Sequence, residues 1–221
     1  MLRAIIFDMD GVLLKSEGAI SKSFNMALNK YGVKLGVKDK KKYLGRSLRD
    51  QMEMWKEEYP QIPKDLDATT FGKEALDYQI EILKEILIPN KTILDLIKKV
   101  KIRNIKIAVA TSSSKNRARM FLKLLGLLSQ LDVLITSEDV KRHKPYPDIF
   151  LEAAKRIGVL SKNCVVIEDA VNGIKAANSA EMKSVALLTR HHSREDFFEA
   201  DYIFSDFKSL SIKDLDNLFK K

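Results

Sequence analysis

The chain of 221 residues has a single cysteine, a single tryptophan and three histidines. One cysteine, Cys164, excludes an internal disulfide and suits a reducing compartment. It opens the apolar run Cys164–Ile167, so it reads as a packing residue and not as a reactive thiol. No stretch approaches the ~20 consecutive apolar residues that a membrane span requires. The first residues read as a strand instead of a signal peptide. These absences predict a cytoplasmic protein with no membrane partner. None of the histidines precedes His143, and all three (His143, His191, His192) read as loop residues, not as metal ligands.

Charge is not lacking. The net formal charge is +9, which fits nucleic acid, an anionic substrate or a lysine-rich solvated surface. The densest basic cluster, Lys38, Lys40, Lys41 and Lys42, offers no aromatic platform for stacking bases beyond Tyr43. It therefore reads as a solvated face that also steers small anions, with no nucleic-acid partner expected. Hydrophobic residues at 45% and charged residues at 31% describe an ordinary globular protein. Its length allows one α/β domain, or one core with a smaller inserted unit.

The stretch from Ala4 to Val12 organises the rest. Its unbroken apolar run predicts a strand buried on both faces, as in parallel sheets. The strand then delivers Asp8 and Asp10 at its C-terminal end, where ligands bind in open α/β sheets. A break at Asp8 and a turn at Gly11 let both carboxylates serve one site. Two acids that close repel unless a cation or a proton separates them. Alone, the same residues also fit a strand-end turn in which the acids cap backbone amides.

Residues 15–88 show helical periodicity and no convincing strand, so they read as a helical insertion after the first strand. Ile20, Phe24, Ala27, Leu28 and Tyr31 share a face, with Gly32 as a stop. Further helices are predicted over Leu44–Trp55 and Ala68–Leu87, and Ile88–Asn90 is the expected return linker. Beyond it, helix and strand alternate. Strands are expected at Ile105–Ala110, Val133–Thr136, Val165–Ile167, Val185–Leu188 and Tyr202–Phe204. The predicted fold is α/β, a Rossmann-like parallel-sheet core (1–14 and 89–221) carrying an inserted helical domain (15–88).

Three strand ends then offer Asp8 with Asp10, Thr111 with Ser112, and Glu168 with Asp169, while a loop offers Lys144. In a parallel sheet all of these lie along one edge. Clustered carboxylates suit Mg²⁺, a hard cation that shares its shell with phosphate. A hydroxyl and an ammonium would meet the remaining charge on phosphoryl oxygens, so the expected chemistry is phosphoryl transfer. The DxDG box at Asp8–Gly11, the strand ending in Thr111, the Lys144-Pro145-x-Pro147-Asp148 loop and the Glu168–Asp169 pair resemble the four signature motifs of the haloacid dehalogenase superfamily. The resemblance spans the whole core, and the helical insert resembles that superfamily's small cap. Within it, the chain is most similar to the phosphoglycolate phosphatase and β-phosphoglucomutase branch.

That resemblance implies Asp8 as the nucleophile forming an aspartyl-phosphate, and Asp10 as general acid and then base, its backbone carbonyl on Mg²⁺. It implies Thr111 and Lys144 as phosphoryl-binding groups, Asp169 as a direct metal ligand and Glu168 as a direct or water-mediated one. Asp10 argues for phosphate esters, because the carbon-attacking and phosphonate-cleaving branches lack this acid. Ser112 is a further candidate for substrate binding. So is Arg46, in the Gly45–Ser47 stretch, which could grip a carboxylate or a second phosphate. Lys15 replaces an acid that many relatives carry, and Glu181 stands where many have glycine after a helix. Mutases of the branch use a histidine near the start of the first cap helix, a place held here by Ile20. The expected function is a Mg²⁺-dependent phosphatase of small phosphorylated metabolites. The alternatives are a sugar-phosphate mutase, a non-catalytic phosphate-binding module and a nucleic-acid-binding protein.

Overall fold

The structure is a computed structural model, described for residues 1–14, 17–36, 48–86, 91–190 and 192–220. It divides into two compact units, Met1–Lys15 with Ile88–Lys221, and Ser16–Leu87.

The larger unit is built on six parallel strands: β1 (Ala4–Phe7), β2 (Lys106–Ala110), β3 (Val133–Ile135), β4 (Cys164–Glu168), β5 (Lys183–Leu187) and β6 (Tyr202–Phe204). Their order across the sheet is β3-β2-β1-β4-β5-β6. β1 is central, with Phe7 in register with Val109 on one side and Ile167 on the other. The chain builds outward from β1 through β2 to β3, then starts again on the other side with β4. This reversal makes the C-terminal ends of β1 and β4 a switch point, where the connecting loops diverge and open a crevice.

The helices of this unit are α4 (Lys91–Ile102), α5 (Lys115–Leu124), α6 (Asp148–Ile157), α7 (Val171–Ser179) and the short α8 (Ile212–Asn217). Ala4 and Ile6 share one core cluster with Ile149, Phe150 and Ala153 of α6 and Ala176 and Ala177 of α7. The alternate residues Ile5 and Phe7 are also fully buried, so β1 is covered on both faces, as its unbroken apolar run requires. Cys164 belongs to the same cluster as Ala4 and Ile6. Burial pushes its thiol up to about 12, which makes it an inert packing group.

The smaller unit holds α1 (Glu17–Asn29), α2 (Leu48–Glu58) and α3 (Ala68–Ile86). Its core is an aromatic triangle of Phe24, Trp55 and Phe71, with ring centroids 5.5 to 5.9 Å apart in edge-on arrangements. Asn25 accepts from the Leu35 amide at 2.8 Å and donates to the Leu35 carbonyl at 3.1 Å, tying the chain after α1 back to the helix.

Several element bounds differ from the sequence-based expectation. α2 runs past Trp55 to Glu58, where the approach to Pro60 ends it. β3 stops at Ile135, because Thr136 leaves the strand to form a reciprocal cap with Asp139. β5 begins at Lys183, whose ammonium pairs with Asp201 at 2.6 Å. α8 was not expected from periodicity. It is held by a Ser211–Asp214 capping box and the buried Leu215. The first residues of the predicted Leu44–Trp55 helix, the Ile88–Asn90 linker, Lys15 and His191 lie outside the described residues.

Candidate active site

Four segments meet at the C-terminal edge of the sheet. β1 ends one residue before Asp8, whose amide donates to the Ile167 carbonyl of β4 at 2.9 Å, so the strand pairing carries on to the first carboxylate. β2 ends one residue before Thr111, and its amide donates to the Ile135 carbonyl at 3.0 Å. Glu168 is the last residue of β4, and Lys144 arrives from the loop before α6.

Lys144 is the electrostatic centre. Its ammonium donates to Asp8 Oδ1 and Glu168 Oε1, both at 2.6 Å, and to the Ala110 carbonyl at 3.3 Å. All three protons of the ammonium thus have acceptors. Burial alone would lower its pKa, but Asp8 and Glu168 outweigh that and hold it above the ordinary lysine value. Burial likewise pushes the Asp8 carboxyl well above the usual carboxylate range, with Glu168 and Asp10 adding to the rise and Lys144 opposing it.

Glu168 uses its other oxygen to accept from the amides of Asp169 and Ala170, each at 2.9 Å. Two glycines make room for these acids. A Cβ on Gly173, in the first turn of α7, would sit 2.0 Å from Glu168 Cδ. Gly11 has φ +83°, and a Cβ there would meet Asp169 Oδ2 at 1.8 Å. Asp8, Glu168 and Asp169 each present a carboxylate oxygen within 4.8 Å of the others. An all-oxygen anionic set of this kind fits a hard divalent cation.

The structure therefore brings together Asp8, Lys144, Glu168 and Asp169. Thr111 adjoins them at the end of β2, buried, its hydroxyl accepting from the Ser113 amide at 3.1 Å. Ser112 follows on the exposed side of the same turn. The carboxylate of Asp10 is not part of the three-acid group. It is turned to Arg117, which spans both its oxygens at 2.6 and 2.7 Å, and to the Ser113 hydroxyl at 2.8 Å. Arg46 lies outside the described residues.

Sequence reasoning missed Ser113, Arg117 and Gly173. Arg117 follows Ser113 at the four-residue helical spacing that stacks side chains on one face, but nothing in that spacing points to Asp10. Gly173 lies in the first turn of α7, and the closeness of Glu168 explains the missing side chain there.

The family description "Haloacid dehalogenase-like hydrolase" matches residues 5–187. The fructose-1-phosphate phosphatase YqaB of Escherichia coli is 33% identical over 186 residues, covering 82% of this chain and 94% of that protein. A phosphorylated carbohydrates phosphatase of Thermotoga maritima is 29% identical over 184 residues, covering 83% and 84%. The crystal structure of a β-phosphoglucomutase from Clostridium difficile superposes with a TM-score of 0.81 at 28% identity, covering 99% of this chain and 97% of that one.

Proposed function

The chain belongs to the haloacid dehalogenase-like hydrolases, and on that premise we propose that it is a Mg²⁺-dependent phosphatase working through phosphorylated Asp8. Its relatives include phosphatases of sugar phosphates, and it is a phosphoric monoester hydrolase of that kind acting on small phosphorylated sugars or similar metabolites. The observation that carries the mechanism is Lys144, held 2.6 Å from both Asp8 and Glu168 beside Asp169.

In the first half-reaction an Asp8 oxygen attacks phosphorus and the bond from phosphorus to the ester oxygen breaks. Asp10 gives its proton to the departing alkoxide, releasing the alcohol. In the second, water attacks the phosphorus of phosphorylated Asp8 as Asp10 removes a water proton. The bond from Asp8 to phosphorus breaks, inorganic phosphate leaves, and Asp8 and Asp10 return to their starting forms. Lys144 orients Asp8 and, with the Thr111 hydroxyl and the Ser112 region, meets charge on the phosphoryl oxygens. Asp8, Glu168 and Asp169 with the Asp10 backbone carbonyl would hold a divalent cation, which would supply neutralisation of charge on the phosphoryl oxygens. In this reading residues 16–87 form the cap that selects the substrate.

The mutase reading has support in the β-phosphoglucomutase likeness. Against it, the helical unit contains no histidine, and Ile20 holds the place of the one that mutases use. The test of the phosphatase reading is hydrolysis of p-nitrophenyl phosphate with Mg²⁺ and its loss in Asp8→Asn, whose amide cannot act as the nucleophile. Turnover surviving in that variant, or undiminished in EDTA after metal stripping, overturns the mechanism.

A further inference from the structure

Two turns meet beside the site, one after β2 and one after β3. The first, residues 111–114, carries the Thr111 hydroxyl, which accepts from the Ser113 amide at 3.1 Å. With a lone pair engaged in this way, the hydroxyl keeps its own proton to give, and no described residue takes it. The Ser113 amide thus makes Thr111 a donor, and the position of Ser113 decides how that donor is aimed.

Ser113 is held from outside its own turn. The Ser137 amide and hydroxyl both donate to the Ser113 carbonyl, each at 3.2 Å. The next residue, Glu138, accepts from the Lys115 amide at 2.8 Å. These three bonds carry the β2–β3 pairing past the strand ends. The second turn has locks of its own. Asp139 accepts from the Thr136 amide and hydroxyl at 2.9 and 2.8 Å, and Arg156 of α6 pairs with its other oxygen at 2.9 Å.

Capping of α5 does not account for all of this. α5 has no acidic residue in its first turn, and its N-cap, Ser114, makes no side-chain cap bond. Glu138 therefore supplies, from another segment, an acceptor that the helix lacks. The Ser113 carbonyl, however, lies ahead of the N-cap, where no helix end needs it bound. Its bonds to Ser137 secure the turn itself, whose start is fixed by the Thr111 amide on the Ile135 carbonyl at 3.0 Å.

We propose that Glu138 is a positioning residue: with Ser137 it holds the 111–114 turn in the shape that aims the Thr111 hydroxyl at a phosphoryl oxygen. Its side chain is exposed, so water screens its charge; what it contributes is the acceptor. The inference rests on the phosphatase reading, in which Thr111 meets the phosphoryl group.

The test compares the wild type with Glu138→Ala, Glu138→Gln and Ser211→Ala. The last removes a side-chain cap from α8 and controls for lost capping alone. kcat and KM for p-nitrophenyl phosphate and the inhibition constant of inorganic phosphate are measured in Mg²⁺, alongside melting temperatures. A merely structural role would lower the folded fraction, and kcat with it, but would leave the phosphate inhibition constant where it was. Glu138→Ala is expected to raise KM and that inhibition constant together by about 5- to 20-fold. Glutamine keeps an acceptor for the Lys115 amide without the charge, so Glu138→Gln should bring both constants back to within about 2-fold of wild type. Ser211→Ala should move the melting temperature alone. Wild-type hydrolysis with phosphate inhibition unchanged in Glu138→Ala, with Glu138→Gln no better than Glu138→Ala, or with an equal shift in Ser211→Ala overturns this inference alone. Absence of wild-type hydrolysis overturns the phosphatase reading and the inference with it.

Discussion

Replacing Lys144 by methionine measures how much of the fold depends on one ammonium. Methionine keeps the length and apolar stem that passes Phe150, whose ring centroid lies 5.0 Å from Nζ. What is lost is the charge between Asp8 and Glu168, whose side chains are 9% and 2% exposed. Removing one partner of a buried ion pair costs ~3–5 kcal/mol, because the remaining charge stays buried. At ~2–4 °C per kcal/mol for a protein of this size, the melting temperature should fall by about 6–20 °C at pH 8.

The deficit should depend on pH, with a definite sign. In the wild type, burial raises the Asp8 pKa against the pull of Lys144; without Lys144 it rises further. A carboxyl whose folded pKa is raised contributes stability that is full below its unfolded value near ~4 and is lost as pH rises through the folded value. The variant can therefore protonate its way out at low pH but not at pH 8. Lys144 itself is shifted above the ordinary lysine value, so its own contribution is constant between pH 5 and 8. Scanning calorimetry of both proteins in EDTA at pH 5 and pH 8 provides the comparison. A deficit under about 2 °C at pH 8, or one equal at both pH values, would refute the reasoning.

Three other outcomes are expected. Gly173→Ala drives a methyl group into Glu168, 2.0 Å from its Cδ, and should raise the Mg²⁺ concentration for half-maximal rate about 10-fold or more with unchanged circular dichroism; an unchanged metal requirement would count against Glu168 as a metal-site residue. Glu181 has φ +56°, so Glu181→Gly should stabilise the protein by about 1 kcal/mol in urea titration without altering kcat, and a loss of stability would contradict the strain. Given β-glucose 1-phosphate with catalytic glucose 1,6-bisphosphate, the protein should release inorganic phosphate; efficient formation of glucose 6-phosphate would favour the mutase reading instead.

Much of the sheet was legible because the strands that carry the site are buried on both faces. Ile5–Phe7, Ile107–Ala110 and Val165–Ile167 leave no polar residue to blur the pattern, and each ends at a chemically distinctive residue. Their convergence followed from parallel topology, since every strand of such a sheet ends on the same edge. The orientation of Asp10 was not legible. The DxDG spacing brings two acids to one strand end, but which way the second turns depends on Arg117, over a hundred positions later. Gly173 was illegible for a similar reason, because its neighbour is a side chain from the preceding strand. Glu181 stood out only through the resemblance, as a place where many relatives have glycine after a helix, and its backbone is left-handed. α8 escaped because a helix from Ile212 to Asn217 is too short to show periodicity.

The central place of β1 also bears on how the protein comes off the ribosome. Ala4 finds its neighbours in Lys106 on one side and Cys164 on the other. At ~5–20 residues per second, a fully apolar strand waits on the order of ten seconds or more between its own emergence and that of β4. In that interval the next segment to appear is Ser16–Leu87, which carries its own aromatic core and can collapse while β1 is unpaired. The three-acid group can form only after β4 has docked, so nascent chains that stop short of Asp169 hold Asp8 without its full set of acidic neighbours.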